Sequence, residues 1–224
     1  TVEKEDGSLQ DVHYLNADVA QVMVPVLCCL PSLRRAFFGT EPRRSRFGCD
    51  TMKLFAGNGT FTIDVACNPC EPGVGYCFGD DSGSVICPCG NPGSSEGGCA
   101  NGSGQGATLG AIGDASVSND TLVLQSTNLL PNQPCLFFQG NNAINQGNGN
   151  TFGDGLRCAG GQVIRLEVRF STAGSSQTTT SIASAGGASA GDLKRYQLWY
   201  RDPQTSPCGA LFNLSNGYEI SWSA

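Results

Sequence analysis

The sequence has very little histidine: His13 is the only one among 224 residues. Histidine is the most frequent general acid or base in enzymes and a common metal ligand, so its scarcity removes most routes to catalysis and to a mixed metal site. A Ser–His–Asp arrangement through His13 is formally possible, but a surface or interface histidine is the simpler interpretation. We therefore predict no catalytic residue, no metal and no cofactor.

The sequence also lacks a long apolar run. The longest, residues 19–30 (VAQVMVPVLCCL), contains Gln21 and Pro25 and falls short of the roughly 20 residues that span a bilayer. We predict no membrane span and interpret this stretch as a buried strand or strand pair broken at Pro25. No secretory signal begins at Thr1, so export requires a signal that was removed or that lies outside this sequence.

Basic residues are sparse outside one segment, and the net charge is −6. Such a chain is a poor binder of nucleic acid, whose phosphates attract cationic surfaces. The exception is a cationic segment in which arginine and phenylalanine are interleaved. It is either a solvated loop paired with the protein's own acids or a contact for an acidic partner, such as another copy of the chain. The partner-binding candidates in it are Arg34, Arg35, Phe37, Phe38, Arg43, Arg44 and Arg46.

Cysteine, in contrast, is abundant, with twelve in the chain. Thiols persist as disulfides only in oxidising compartments, and an even count beside 31 glycines and 11 prolines is typical of secreted domains. We expect complete pairing in a protein that is extracellular or on the cell surface. A structural zinc site built from two of the closely spaced cysteine pairs, 67/70 and 87/89, is the alternative. The cysteines expected in disulfides are Cys28, Cys29, Cys49, Cys67, Cys70, Cys77, Cys87, Cys89, Cys99, Cys135, Cys158 and Cys208.

Period-two alternation of apolar and polar residues dominates wherever a pattern is readable, which indicates an all-β fold. In residues 163–170 (VIRLEVRF) the charged side chains fall on one face and the apolar ones, including Val168 and Phe170, on the other, which predicts a half-buried strand. The fold predicted is a disulfide-rich β-sandwich or jelly-roll-like domain with an N-terminal extension. Further strands are predicted at residues 52–56, 61–66, 121–125, 135–139, 196–201 and 218–222.

Composition suggests two parts, an N-terminal extension or small β subdomain at residues 1–75 and a disulfide-rich module at residues 76–224. Residues 76–99 are rich in glycine and cysteine and show no alternation, so we expect crosslinked irregular backbone there. Residues 171–190 are half serine and threonine, which predicts a mobile loop that cannot fold by packing.

From residue 76 onward the chain resembles an uncharacterised module found at the C-terminal ends of large exported bacterial proteins. The resemblance is carried by YCFGDDSGSVICPCGN, GCANGSGQGATLGAIG, SNDTLVLQSTNLLPNQPCLFFQG, FGDGLRCAGG with the following VIRL, and the closing YQLWYRDP and CGALFNLSNGYEISW. It implies export and a disulfide-bonded β module, and it implies nothing about catalysis. The resemblance does not extend to residues 1–75.

Several other residues are candidates for binding or modification. The aromatic side chains Tyr196, Trp199, Tyr200 and Trp222 could stack on sugar rings, or could fill the core. The related turns at residues 78–81 and 152–155 could hold calcium through their aspartates, although aspartate beside glycine more often caps its own turn. N-x-S/T sequons occur at Asn58, Asn101, Asn119 and Asn213.

These observations favour an extracellular structural or adhesive protein, a self-assembling subunit of fibre or surface-layer type held by strand addition and disulfides. Its expected partners are other copies of itself. A secreted carbohydrate-binding module for cell-surface or environmental glycan is the alternative, and a hydrolase fragment is a third hypothesis from a different class.

Overall fold

In a computed structural model of the chain, residues 72–203 and 205–224 are described in full, together with four short strands among residues 2–63. The chain divides into two compact units, Thr1–Cys70 and Glu71–Ala224. In the first unit β1 (Val2–Glu3) pairs with β2 (Leu9–Gln10), and β3 (Met52–Ala56) pairs with β4 (Gly59–Ile63), both antiparallel. Strand β3 coincides with its prediction, and β4 overlaps the strand expected at residues 61–66.

The second unit is built on a six-stranded antiparallel sheet, the main sheet. Its order is β13-β8-β15-β17-β5, and β16 also pairs with β15. The strands predicted in this region at residues 135–139, 163–170, 196–201 and 218–222 all lie in this sheet. Its members are β5 (Gly73–Tyr76), β8 (Pro134–Gly140), β13 (Ile164–Phe170), β15 (Leu193–Arg201), β16 (Phe212–Leu214) and β17 (Gly217–Ser221).

A smaller three-stranded sheet packs against the main sheet. It has the order β14-β7-β6 and contains β6 (Thr108–Ile112), β7 (Val123–Thr127) and β14 (Ser176–Gln177). Side chains from the facing surfaces form one core cluster, which includes Leu109 and Leu124 of the smaller sheet and Phe137, Leu198 and Ile220 of the main sheet. The protein is therefore the disulfide-rich, sandwich-like all-β fold that the sequence predicts.

Two short two-stranded sheets and one helix complete the unit. Strand β9 (Asn142–Ala143) pairs with β12 (Ala159–Gly160), and β10 (Asn150–Phe152) pairs with β11 (Gly155–Arg157). A 3₁₀ turn covers Ile144–Gly147, and the helix α1 covers Ile182–Gly186.

Strand β13 departs from its predicted pattern because it contains a β-bulge. Its register against β8 shifts between Arg165 and Glu167, so two residues of β13 share one position opposite β8 and the alternation is reversed beyond them. Val168 and Phe170, predicted to be buried, are 64% and 67% exposed. The prediction was wrong for these two side chains because a bulge moves every later residue to the opposite face.

The serine- and threonine-rich stretch is also different from its prediction, because it carries β14 and α1. The side chain of Ser181 caps α1 by accepting a hydrogen bond from Ser184 N at 3.2 Å, and Gly187 ends the helix in the left-handed region at φ +60°. Ile182 is fully buried in the core. The buried side chains of Ile182 and Ala183, together with local capping, therefore order a segment whose composition alone suggests mobility.

Glu167 attaches the residues before α1 to β13. Its carboxylate accepts hydrogen bonds from Thr179 N at 2.8 Å, Thr179 Oγ1 at 2.7 Å and Thr180 N at 3.1 Å, and it pairs with Arg169 at 3.3 Å. Partial burial raises the pKa of the Glu167 carboxyl, but these hydrogen bonds and the Arg169 charge outweigh it, so the pKa lies below its ordinary value.

This attachment makes part of the stability depend on pH. Because the folded-state pKa of Glu167 is depressed, its contribution is complete above the unfolded-state pKa of about 4.3 and is lost as pH falls through the folded-state value. We expect Glu167→Gln to lower the free energy of unfolding at neutral pH. Its effect should be much smaller at a pH well below the folded-state pKa of Glu167, where the carboxyl is protonated in both states. Urea unfolding at both pH values measures this, with Glu96→Gln at an exposed position as the control. An equal loss at both pH values would contradict the prediction.

Three disulfides fasten the segment before β6. They join Cys77 to Cys158, Cys87 to Cys99 and Cys89 to Cys208, with Cα–Cα distances of 6.0, 5.7 and 5.5 Å. As expected, residues 77–99 contain turns and bends but no helix or strand. Glycine allows the backbones to approach closely there: a Cβ on Gly79 would lie 2.2 Å from Cys99 N.

The disulfides correct two expectations about cysteine. Cys87 and Cys89 are bonded to other cysteines, so they are not the zinc ligands of the alternative hypothesis. The part of the chain that the structure describes contains one free cysteine, Cys135, and complete pairing is wrong for it. Its side chain points from β8 into the core, where burial raises the pKa of the thiol, so it acts as a small apolar side chain. Cys28, Cys29, Cys49, Cys67 and Cys70 lie outside the described residues.

Candidate functional site

Three of the four aromatic side chains predicted to bind sugar lie in the core. Tyr196, Tyr200 and Trp222 are at most 3% exposed. Trp222 Nε1 donates a hydrogen bond to the Tyr196 hydroxyl at 2.9 Å, and Asn101 Nδ2 donates one to the Tyr200 hydroxyl at 3.3 Å. The prediction of a ligand contact was wrong for these three, because alternation along β15 points Tyr196 and Tyr200 inward and a ligand cannot reach their rings.

Trp199 lies on the opposite, outer face of β15. Its ring packs against Phe212 with centroids 5.7 Å apart, and Phe212 in turn packs against Phe152 at 5.2 Å. Trp199 is half-buried, and Phe152 is 42% exposed. Trp199 and Phe152 border an open groove on the outer face of the main sheet. Its volume of about 440 Å³ is within the range of small-ligand sites.

Five separate segments of the chain build this groove. Leu136 and Phe138 on β8 and Val168 on β13 form its base, because these positions face outward from the sheet. The β10–β11 hairpin supplies the wall. The full lining is Pro134, Cys135, Leu136, Phe138, Phe152, Arg157, Val163, Arg165, Val168, Trp199 and Leu214.

The buried amide of Gln197 holds this wall on the sheet. Its Oε1 accepts hydrogen bonds from Cys158 N at 2.9 Å and Ala159 N at 3.3 Å, and its Nε2 donates to Leu156 O and Ser215 O, both at 2.8 Å. The disulfide from Cys77 to Cys158 anchors the same segment covalently. The hydrogen bonds of Gln197 and the Cys77–Cys158 disulfide therefore both fix the wall of the groove.

Asp154, one of the aspartates considered for calcium, stabilises the turn of the β10–β11 hairpin. It is fully buried, accepts a hydrogen bond from Ala210 N at 3.1 Å, and also accepts one from Ser206 Oγ. In the other turn, Asp80 accepts hydrogen bonds from Ser82 N at 3.1 Å and Ser82 Oγ at 2.6 Å. Asp80 thus caps its own turn, as aspartate at a glycine turn commonly does, whereas Asp154 joins the hairpin turn to the loop of residues 206–210. Among the described residues, no three His, Cys, Asp or Glu side chains are grouped so that they could hold a metal ion.

The basic residues are distributed unevenly over the described part of the chain. Three of the six form ion pairs: Arg169 with Glu167, Lys194 with Asp192 and Arg195 with Glu219. The other three form no ion pair with any described residue, and all lie on the outer face near the aromatic rings. These are Arg157, Arg165 and Arg201.

Two of these arginines line the groove itself. The guanidinium of Arg157 lies 5.9 Å from the centroid of the Phe152 ring, and Arg165 is exposed on β13 beside the bulge. No acidic side chain lines the groove. The groove is thus a locally cationic, aromatic surface on a chain whose net charge is −6.

Sequence reasoning identified only Trp199 of this groove. It considered Phe152 only as part of a turn that could hold calcium, and it placed Val168 on the buried face. The available signal was the alternation in CLFFQ, which puts Leu136 and Phe138 on one face. The neighbouring arginines on β11 and β13 carry no sequence signal that connects them to that face.

The remaining candidates are separate from the groove. Of the sequons, Asn101 and Asn213 are buried and cannot accept a glycan in the folded protein, whereas Asn119 is exposed. His13, Asn58 and the cationic segment lie outside the described residues, including all seven of its partner-binding candidates. Within residues 72–203 and 205–224, no helix has the length and hydrophobicity that crossing a membrane requires.

The fold and the groove together define a disulfide-bonded all-β protein with a preformed surface site, and three disulfides fit a non-cytoplasmic compartment. No protein-family model, no curated protein and no solved structure matches the chain. Its function is therefore inferred from the geometry of its own residues.

Proposed function

We propose that the chain is a secreted adhesive module that binds an acidic carbohydrate in the groove beside Trp199. The observation that carries this proposal is the combination of the half-buried Trp199 ring and the exposed Phe152 ring with two arginines that have no ion-pair partner among the described residues. It retains one of the aromatic side chains predicted from sequence and adds a charge preference that the sequence did not suggest.

The aromatic rings support binding of a sugar ring. The C–H faces of a pyranose are apolar, and they lose little on leaving water when they pack on an aromatic side chain. Trp199 and Phe152 present such surfaces at the rim of the groove, and Phe212 fixes their orientation by packing between them. A held ring loses less conformational entropy on binding than a mobile one.

The arginines support a carboxylated sugar over a neutral one. A guanidinium presents several N–H donors in a plane and binds a carboxylate through two parallel hydrogen bonds. Arg165 is exposed and Arg157 is half-buried beside Phe152, so both can reach a ligand in the groove. Over the rest of residues 72–203 and 205–224, acidic residues outnumber basic ones, which favours attachment of an anionic polymer at this face.

The lining supports binding without turnover. Glycoside hydrolysis uses a pair of carboxyl groups about 5–10 Å apart, one on each side of the scissile bond. The side chains that line the groove include no aspartate, glutamate or histidine. A sugar seated there would meet cations and rings but no group suited to act as a general acid.

Titration calorimetry with a galacturonate oligomer tests the proposal, with its fully methyl-esterified form as the neutral control. We expect saturable binding of the acidic oligomer that Arg165→Gln weakens about tenfold, the equivalent of one charge-assisted hydrogen bond. Trp199→Leu should weaken it at least as much, and Ile86→Ala, at an exposed position outside the groove, should have no effect.

Two outcomes would overturn the proposal. One is equal affinity for the acidic and the esterified oligomers, which would exclude a role for the arginines. The other is equal binding of poly-glutamate of matched length, which would identify the groove as a site for acidic peptides.

A further inference from the structure

We propose that β13 is the contact through which two copies of this chain pair, antiparallel, about a twofold axis at Val168. This contact is an edge of the main sheet, not a ligand site, although Val168 lies both on the proposed axis and at the base of the groove. It also specifies how the strand addition expected from sequence would occur.

Strand β13 is an open edge of the main sheet. In the described part of the chain it pairs only with β8, over seven residues. The smaller sheet protects its own edge at β6 differently: the side chain of Asn216 accepts a hydrogen bond from Leu109 N at 2.7 Å and donates one to Leu109 O at 3.1 Å. An unprotected edge strand offers its backbone groups to another chain.

The exposed side chains of β13 fit contact with a protein. Edge strands are normally protected by charges and bulges, and β13 has both in its first half. Beyond the bulge, however, Val168 and Phe170 are 64% and 67% exposed. Exposed apolar side chains beside free backbone groups are typical of a surface that another strand covers.

The charges of β13 favour a second copy as that strand. Antiparallel pairing centred on Val168 places Glu167 of each copy opposite Arg169 of the other, because the twofold axis repeats every contact. Opposite charges directly across an antiparallel pair stabilise it, and like charges destabilise it. Within one copy, Arg169 Nη1 already lies 3.3 Å from Glu167 Oε1, so both side chains are ordered before the two copies pair. The strand is thus complementary to itself in this register.

This pairing has a defined geometry. A twofold axis perpendicular to the sheet joins the two main sheets into one and keeps both outer faces on the same side. The contact closes after two copies, so a filament would need a second contact. If the proposed function is correct, two grooves would open on one side of the pair and bind a polymer with increased avidity. That consequence alone rests on the proposed function.

Light scattering coupled to size-exclusion chromatography tests the pairing on the full chain. We expect concentration-dependent pairs, weakened at least tenfold by Phe170→Lys, because a charge replaces an apolar contact at the edge. Ile86→Lys is the matched control, since Ile86 is 63% exposed outside the sheet, and it should leave pairing unchanged. A wild-type chain that stays monomeric at its highest soluble concentration would overturn the proposal.

Charge reversal tests the register. Glu167→Lys and Arg169→Glu each place like charges opposite one another in a pair of identical variants, so each variant alone should be monomeric. Mixed together, they restore opposite charges at both positions, and mixed pairs should form. Circular dichroism confirms that each variant is folded. Failure of the mixture to pair, while the wild type pairs, would exclude this register, and pairing insensitive to all these changes would exclude β13 as the contact. Sugar binding is measured separately, so either proposal can fail alone.

Discussion

Replacement of Cys77 and Cys158 by alanine is expected to lower the free energy of unfolding by about 4 kcal/mol. The two cysteines are 81 residues apart, so their disulfide removes a large loop entropy from the unfolded chain. It also joins the end of β5 to the wall of the groove, where Cys158 and Leu156 share a small buried cluster with Cys87 and Cys99. Such a cluster is too small to replace the lost crosslink by packing.

The Cys87–Cys99 disulfide provides a matched comparison. It closes a separation of only 12 residues, so the same replacement there should cost about 3 kcal/mol or less. Urea unfolding of the two double variants, followed by circular dichroism, measures both losses. A larger loss for the short loop would contradict the argument from loop length. The Cys77 and Cys158 variant should also bind the acidic oligomer more weakly, because the groove wall is no longer anchored.

The second large effect is expected from Gln197→Leu, which should lower the free energy of unfolding by at least about 3 kcal/mol. The amide of Gln197 makes four hydrogen bonds to backbone groups of residues 156–159 and 215, and the side chain is fully buried. Leucine fills a similar volume but leaves those backbone groups without partners. Each unsatisfied buried group costs about 1–3 kcal/mol.

Two further variants distinguish the loss of buried hydrogen bonds in Gln197→Leu from a change in side-chain volume. Gln197→Glu keeps the shape of the side chain but removes both donor hydrogens, so it should also be strongly destabilising. Gln125→Leu removes a side-chain hydrogen bond on β7 that is exposed, and it should change stability by about 0.5 kcal/mol or less. Thermal and urea unfolding measure these values. Equal effects of Gln197→Leu and Gln125→Leu would show that the buried amide has no special role.

The disulfides and the bulge show why long-range structure limits prediction from sequence. Composition predicts that cysteines are oxidised, but their pairing depends on which backbone segments meet in space. Cys89 bonds to Cys208 across 119 residues, and no spacing rule connects those two positions. Among the described cysteines, only Cys135 is free, because its inward position on β8 brings no other described cysteine near it.

By itself the sequence determined the all-β class, the approximate positions of the main strands and the formation of disulfides, of which the structure describes three. These properties follow from local alternation and from composition, which need no knowledge of distant contacts. Only the tertiary structure decided which face of β13 is exposed, because a bulge one residue long reverses the pattern beyond it. It alone also assembled the groove, since Phe152, Arg157, Arg165 and Trp199 come from four strands and meet only when the sheet and its hairpin are in place.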